Sequence, residues 1–511
     1  GRLVLRTSSQ TPFLTRRALA LLYDLPEDRV RVLTGRVGGG FGGKQEMLVE
    51  DLVALAVRKT GRPVKLEFTR AEQFTSATTR HPFAVRMKAG ARRDGTLTAL
   101  ELRVVADTGA YGNHGPSVMY HGCHESLAVY RCANKKTDAY AVYTNTVPAG
   151  AFRGYGLGQV SFAVESVLDE LARRLDLDPI ALRERNIVRP GEDLTAPGSH
   201  ADDLTIASYG LDECLAVLRS AAAAPAEPHP DGWLVGTGMA LTMIAAGPPG
   251  GHFADATVTR LPDGRYELAV GTAEFGNGST TVHAQIAADA LATTPDQIVL
   301  RQSDTDLVAH DTGAFGSTGV VVAGKAVLHA ARALHAKILA GSAEEPLRAH
   351  GRWGGSPRSV AFNAQWFRIA VDPDTGEIRI LRSVHSADAG VVMNPLQCRG
   401  QVEGGIAQAL GATLAEHVDI DPSGQVTTAG FREYHLPTFA DVPHTEVHFA
   451  TTDDAIGPLG AKSMSESPFN PVAPAMANAL RDATGIRFTD LPFTRDRVWQ
   501  GLQDGRIAGG H

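Results

Sequence analysis

Glycine-rich turns ahead of helices carry the first chemical signal in this 511-residue chain. Gly38-Gly39-Gly40-Phe41-Gly42-Gly43 has G-x-G-x-x-G spacing between an expected strand and an expected helix, with Glu67 about twenty residues further on. Glycines let a backbone approach an anion closely, and a helix N-terminus offers it free N–H groups. The stretches 271–278, 313–319 and 400–405 repeat the arrangement. A single fingerprint fits a dinucleotide. Several together fit one large polar or multiply phosphorylated ligand held by backbone amides. Long antiparallel hairpins follow the first turn where a dinucleotide fold needs further βα units, which disfavours the dinucleotide.

Other residues could do chemistry of their own. Glu466, in Ser465-Glu466-Ser467-Pro468 just before a helix, could act as a base or merely place negative charge at a helix start. His121-Gly122-Cys123-His124, with Cys132 beyond, offers potential metal ligands, but not at the usual spacing of a zinc site. No G-x-S-x-G elbow supports a serine hydrolase. Four cysteines are too few for a disulfide scaffold and lack the clustering of an iron–sulfur domain. Lys+Arg is 49 and Asp+Glu 56, a net charge of −7, so the basic footprint of a nucleic-acid binder is missing. No apolar run reaches the ~18 residues of a membrane span and no signal peptide is visible. The expectation is a cytoplasmic protein with neither a nucleic-acid nor a membrane partner. The opening Gly1, followed at once by strand-like residues, suggests a truncated or processed chain.

The elements that must hold these residues read as mixed α/β. Strands are expected at 3–7, 30–33 and 64–68, with helices over 11–25 and 46–59. Alternation over 81–112 turns at Arg93-Asp94-Gly95. A helix face over 160–175 is followed by a short helix opening at Pro179. The proline- and alanine-rich stretch 221–231 reads as a linker between units 1–220 and 232–511. Beyond it, hairpins are expected at 256–270 and 366–384, and helices at 281–291, 324–334, 402–414 and 472–480.

Taken in order, GGGFGGK (38–44), AFRGYG (151–156), GTAEFGNG (271–278), GAFGSTG (313–319), DAGVVMNP (388–395), GQVEGG (400–405) and GAKSMSE (460–466) resemble the molybdenum-cofactor-binding part of the xanthine dehydrogenase/aldehyde oxidase family. The resemblance covers nearly the whole chain. It implies two α/β (mixed α+β) molybdopterin-binding subdomains with the cofactor at their interface. The small α/β domain that usually precedes them is not seen, nor are iron–sulfur or FAD modules. The pterin is expected with or without an appended cytosine dinucleotide, and iron–sulfur and FAD groups on other subunits of a heteromer.

By the same resemblance, Gln10, Asn277 and Gln401 match pterin-contacting positions. Gly40, Phe41 and Gly42 match the loop beside the metal, as do Arg153 and the turn Phe315-Gly316-Ser317. Glu466 matches the catalytic glutamate. The metal's ligands come from cofactor and solvent, with Phe41, Arg153 and Glu466 only in contact. The implied reaction has a base take a proton from a metal-bound hydroxide, whose oxygen attacks an electron-poor carbon while hydride passes to a sulfido ligand.

Departures fall on the substrate side. Gln45 stands where xanthine-type enzymes place a glutamate, and His121 where they place an arginine. Tyr155 keeps one aromatic, while Leu241 falls where a second would be. The expected substrate is therefore a purine-like or other N-heterocycle, with an aldehyde as the alternative within the family. In other classes, a dinucleotide-binding or non-catalytic subunit is the alternative. Carbon monoxide dehydrogenase is disfavoured, because its cysteine-bearing loop would fall at 153–156, which reads Arg-Gly-Tyr-Gly.

Overall fold

The computed structural model describes residues 1–195 and 203–509. Strand β1 (Leu3–Thr7), helix α1 (Pro12–Leu22) and strand β2 (Val30–Thr34) form a crossover unit whose strands pair in parallel. Pro12 sits in the first turn of α1, where its missing N–H does no harm. Helix α2 (Glu50–Thr60) stops at the left-handed Gly61 (φ 65°). It starts later than the expected residue 46. The Glu50 side chain accepts from the amides of Leu48 and Val49 (2.8 and 3.0 Å), holding them in a turn outside the helix. No strand forms over 64–68: the segment is largely exposed and meets no sheet edge. A capping box of Thr69 and Glu72 instead opens α3 (Arg70–Ser76).

The alternation beyond residue 81 produces β3 (Phe83–Ala91) and β4 (Leu97–Asp107), antiparallel around the expected turn. Helix α4 (Gly115–Ala128) then carries the chain to β5 (Lys135–Val142), parallel to β4. Helices α5 (Leu157–Arg174) and α6 (Pro179–Asn186) follow, then the short strand β6 (Leu204–Thr205) and helix α7 (Leu211–Ala222). Next come β7 (Leu234–Ala245), the hairpin β8 (Ala254–Arg260) and β9 (Tyr266–Val270), α8 (Ser279–Ala290) and β10 (Ile298–Gln302). Helix α9 (Gly324–Leu339) leads to β11 (Arg348–Trp353), β12 (Arg358–Val371) and β13 (Ile378–Ala387). Helix α10 (Pro395–Leu414), β14 (Thr445–Phe449), α11 (Val472–Thr484) and α12 (Arg495–Gly509) complete the chain.

Asn394 caps α10 through the Gln397 amide, so Gly400–Gly405 lies inside this helix rather than opening one. Two sheets organise the second half. One runs β10-β9-β8-β11 under α8 and α9; the other runs β14-β13-β12-β6, with β7 also paired to β12. All fourteen residues of β12 are buried, as expected of a strand covered on both faces. Trp366 and Phe367 anchor the cores on its opposite faces. Burial of each such side chain favours folding by about 1.5–3 kcal/mol. Helix α11 rides directly on the β7 backbone: a Cβ at Gly238 would lie 2.0 Å from the Ala479 amide nitrogen. That close approach sets the position of α11, and the loop leading into it carries Glu466. Among the described residues, no helix is long and apolar enough to cross a membrane.

Candidate functional site

Loops from both halves converge on one cavity of about 100 Å³. Its walls come from Phe41, Gly42 and Gln45, from 151–153 and Tyr155, and from 275–277, 314–319 and 465–466, with Gln10 and Gln401. The motif residues Phe41, Gly42, Arg153, Asn277, Phe315, Gly316, Ser317 and Glu466 thus meet in one place, as do Gln45 and Tyr155.

Gln10 ties the first and third glycine loops together. Its Nε2 donates to the Ala314 carbonyl at 2.7 Å, and its Oε1 accepts from the amides of Gly42 and Lys44 at 3.0 and 3.3 Å. Gly40 packs behind it: a Cβ there would fall 2.7 Å from the Gln10 Oε1. Gly42 needs its left-handed φ of 100°, and a Cβ would lie 2.8 Å from the Ala151 carbonyl carbon. Phe41, Tyr155 and Ser317 also adopt left-handed backbone (φ 54°, 45° and 58°), although none is glycine. Such conformations cost about 1–3 kcal/mol each and persist where the surroundings fix them, which is common in functional sites.

The charged groups are arranged around Glu466. Ser317 Oγ donates to its Oε2 at 2.7 Å, and the Gly154 amide donates to the same carboxylate. Burial raises the Glu466 pKa, while those two donors and the Arg153 and Arg80 charges oppose the rise. Arg153 is itself buried and finds no carboxylate in hydrogen-bond reach. Its donors go to the carbonyls of Ser465 (2.5 Å) and Gln401 (2.9 Å) and to Gln408 Oε1 (3.2 Å), and its guanidinium lies 5.6 Å from the Phe41 ring centre. Burial lowers its pKa to about 10. Arg80, between the rings of Phe152 and Phe469 at 4.6 and 4.2 Å, donates to the Arg153 carbonyl at 2.7 Å. Among the lining side chains Glu466 is the one carboxylate and Arg153 the one guanidinium, with Arg80 stacked behind.

The second glycine turn is filled from within. The Glu274 carboxylate accepts from the amides of Gly276 (2.7 Å) and Thr280 (2.8 Å) and from Ser279 Oγ (3.1 Å). It occupies the N-terminus of α8 where the glycine pattern suggested an external anion. The loop 275–277 is thereby held at the cavity wall rather than left open for a phosphate.

The structure corrects the placement of two substrate-side residues. Leu241 points into the core from β7, with its amide donating to the buried Glu165 at 3.1 Å, and does not line the cavity. β7 is sandwiched between β12 and packed helices, so an ungapped position count could not reveal which face it presented. His121 lies one side chain behind the wall, edge-on to Tyr155 at 5.5 Å, and its Nε2 is 3.2 Å from Glu125 Oε1. Burial lowers its pKa to about 3, so it is neutral. The zinc reading fails with it: Cys123 is in the core, His124 stacks on Tyr120, and no group of metal-holding side chains exists among the described residues. The dinucleotide reading fails because no helix opens at Gly43. Sequence reasoning missed Phe152, Phe275, Ala314 and Ser465, which line the cavity beside motif residues, and Arg80. Their signal was adjacency to the motifs, except for Arg80, which had none.

The donor set fits an organic anionic cofactor that brings its own metal ligands. It offers amides, guanidiniums and a glycine cradle that a Cβ would fill, with no thiolate or imidazole cluster. Comparison with known proteins agrees. One molybdopterin cofactor-binding domain model matches residues 1–187, and a second matches 215–345 and 339–443. The protein described as a probable hypoxanthine oxidase, XdhD, of Escherichia coli O157:H7 is 34% identical over 98% of this chain, which spans 57% of it. The xanthine dehydrogenase molybdenum-binding subunit of the same organism is 33% identical over 98% of this chain and 73% of its own length. The aldehyde oxidoreductase of Desulfovibrio gigas superposes with a TM-score of 0.88 at 25% identity, covering 98% of this chain and 58% of that one.

Proposed function

Because the chain belongs to the xanthine dehydrogenase/aldehyde oxidase family of molybdopterin-binding large subunits, we propose that it hydroxylates a purine-like or other N-heterocycle. The observation that carries this reading is the meeting of Glu466 with the glycine cradle in one cavity. When bound, the molybdenum cofactor supplies the oxygen-transfer chemistry and takes up two electrons from the substrate. Phe41, Gly42, Phe315, Gly316, Asn277 and Gln401 would wall the cofactor, and Gln10 holds together the loops that carry Phe41 and Phe315. Glu466 accepts the proton released as the substrate carbon is oxygenated. Ser317 and the Gly154 amide orient that carboxylate and favour its ionised form against the effect of burial. Gln45 and Tyr155 face the substrate. Gln45 can donate as well as accept, which suits a ring bearing both kinds of polar atom. Iron–sulfur and FAD groups on partner subunits would receive the electrons. The similarity to a protein described as a probable hypoxanthine oxidase and to a xanthine dehydrogenase molybdenum-binding subunit supports the purine class, and that to a solved aldehyde oxidoreductase supports an aldehyde as the second reading.

The test is Glu466→Gln, made in the complex with its partner subunits and assayed on hypoxanthine, xanthine and benzaldehyde. Turnover should fall by about 10²–10⁴-fold, the usual contribution of a positioned base, with molybdenum content unchanged. Turnover at the wild-type rate would overturn the assignment.

A further inference from the structure

Tyr155 sits in a tight backbone turn, its amide donating to the Phe152 carbonyl at 2.8 Å. Gly154, Tyr155 and Gly156 are all left-handed, with φ of 92°, 45° and 91°. The turn's backbone bonds leave the direction of the Tyr155 side chain to be fixed from outside the loop. The anchor comes from two other elements. His114 occupies the N-cap position of α4 but makes no capping bond. Its ring is turned edge-on to Tyr155 instead, with centres 5.9 Å apart, and its Nδ1 lies 2.7 Å from the Tyr155 hydroxyl. On the far side, His114 Nε2 is 3.5 Å from Glu46 Oε1. That same oxygen accepts from the Ala151 amide at 2.9 Å, at the start of the segment that carries Arg153 and Tyr155. The other Glu46 oxygen is buried without a partner. Burying a half-satisfied carboxyl is unfavourable, so a purely structural role is poorly served by a glutamate here.

We propose that Glu46 and His114 are positioning residues whose hydrogen-bond chain through the Tyr155 hydroxyl presents the tyrosine ring to the substrate. With the histidine carrying its proton on Nε2, the chain reads Tyr155 O–H to His114 Nδ1, then His114 Nε2–H to Glu46. The hydroxyl thus faces into the protein, toward α4, and the ring is what the cavity receives. The specificity consequence is that this wall selects flat, weakly polar rings, while hydrogen-bond reading is left to Gln45. The proposal rests on the reading of Tyr155 as a substrate-side residue.

The test uses the holoenzyme complex carrying Glu46→Gln, Glu46→Leu, His114→Leu, Tyr155→Phe, Tyr155→Leu and the Tyr155→Phe/His114→Leu double variant. Steady-state kinetics on hypoxanthine and benzaldehyde are paired with amide hydrogen exchange across residues 150–157, which needs no turnover. Removing one hydrogen bond in the chain should raise KM about 5-fold with kcat little changed. The double variant should be no worse than either single one, because both break the same link. Glu46→Gln keeps the acceptor oxygen and should match the wild type, whereas Glu46→Leu should not. Exchange across 150–157 should quicken about 5-fold in His114→Leu and Glu46→Leu and stay unchanged in Glu46→Gln. Additive effects in the double variant, or unchanged exchange in His114→Leu, would overturn the proposal. Tyr155→Leu separates the two readings. If its KM is unchanged while exchange responds in His114→Leu, the anchor stands and the substrate-side reading of Tyr155 falls.

Discussion

At the scale of single residues, the balance of forces on Glu466 decides whether it can take a proton. Burial favours its neutral form, and the Ser317 hydroxyl favours the carboxylate. Ser317→Ala removes that donor, so the Glu466 pKa rises further and the active, ionised form is lost at higher pH. The acid limb of kcat/KM should move up by about one pH unit, the worth of a hydrogen bond to a charged group. A pH–rate profile checks this, and an unmoved limb would contradict it. Leu241 makes the opposite case. Its side chain is in the core, so Leu241→Ala should destabilise by about 2–5 kcal/mol in denaturant unfolding while leaving the ratio of substrate preferences unchanged. The sequence motifs made Glu466, Arg153 and Phe41 legible because each lies within a short, specific string. Leu241 and His121 were found by counting along the chain, and counting does not reveal which side of a strand or helix faces the cavity.

At the scale of elements, the glycine turns divide into two kinds. The first is held by Gln10 and frames the cavity, whereas the turn before α8 is filled by Glu274. Burial opposes ionisation of Glu274, but the amides of Thr280, Gly276 and Gly278 outweigh it and hold the carboxyl below its ordinary value. Its stabilising effect is therefore present above the unfolded pKa of about 4.3 and is lost as pH falls through the lower folded value. Glu274→Ala should unfold at lower denaturant than the wild type at pH 7, with the gap narrowing below about pH 4. It should also retain less molybdenum, because 275–277 loses its support; an equal metal content would argue against that wall. The strands around Arg93-Asp94-Gly95 and the hairpins at 256–270 and 366–384 were legible from alternation and turn residues. Helix α4 was not, because its apolar residues show little helical periodicity, and the strand expected at 64–68 had the right residue types but no partner edge.

At the scale of the whole molecule, the cavity joins two sets of loops that are far apart in sequence: Gln10 is hydrogen-bonded to Ala314, and Arg153 to Ser465. A ligand that touches both sets stabilises the native state, by about 4 kcal/mol when present at a thousandfold over its Kd. The chain spans 57% of the probable hypoxanthine oxidase it resembles, and the overall reaction is proposed for an assembly larger than this chain. The most direct measurement is the molybdenum content, by mass spectrometry, of the chain produced with its partner subunits in a host supplied with molybdate. About one molybdenum per folded chain is the predicted result. A well-folded complex without molybdenum would contradict the reading of the cavity as a molybdopterin site.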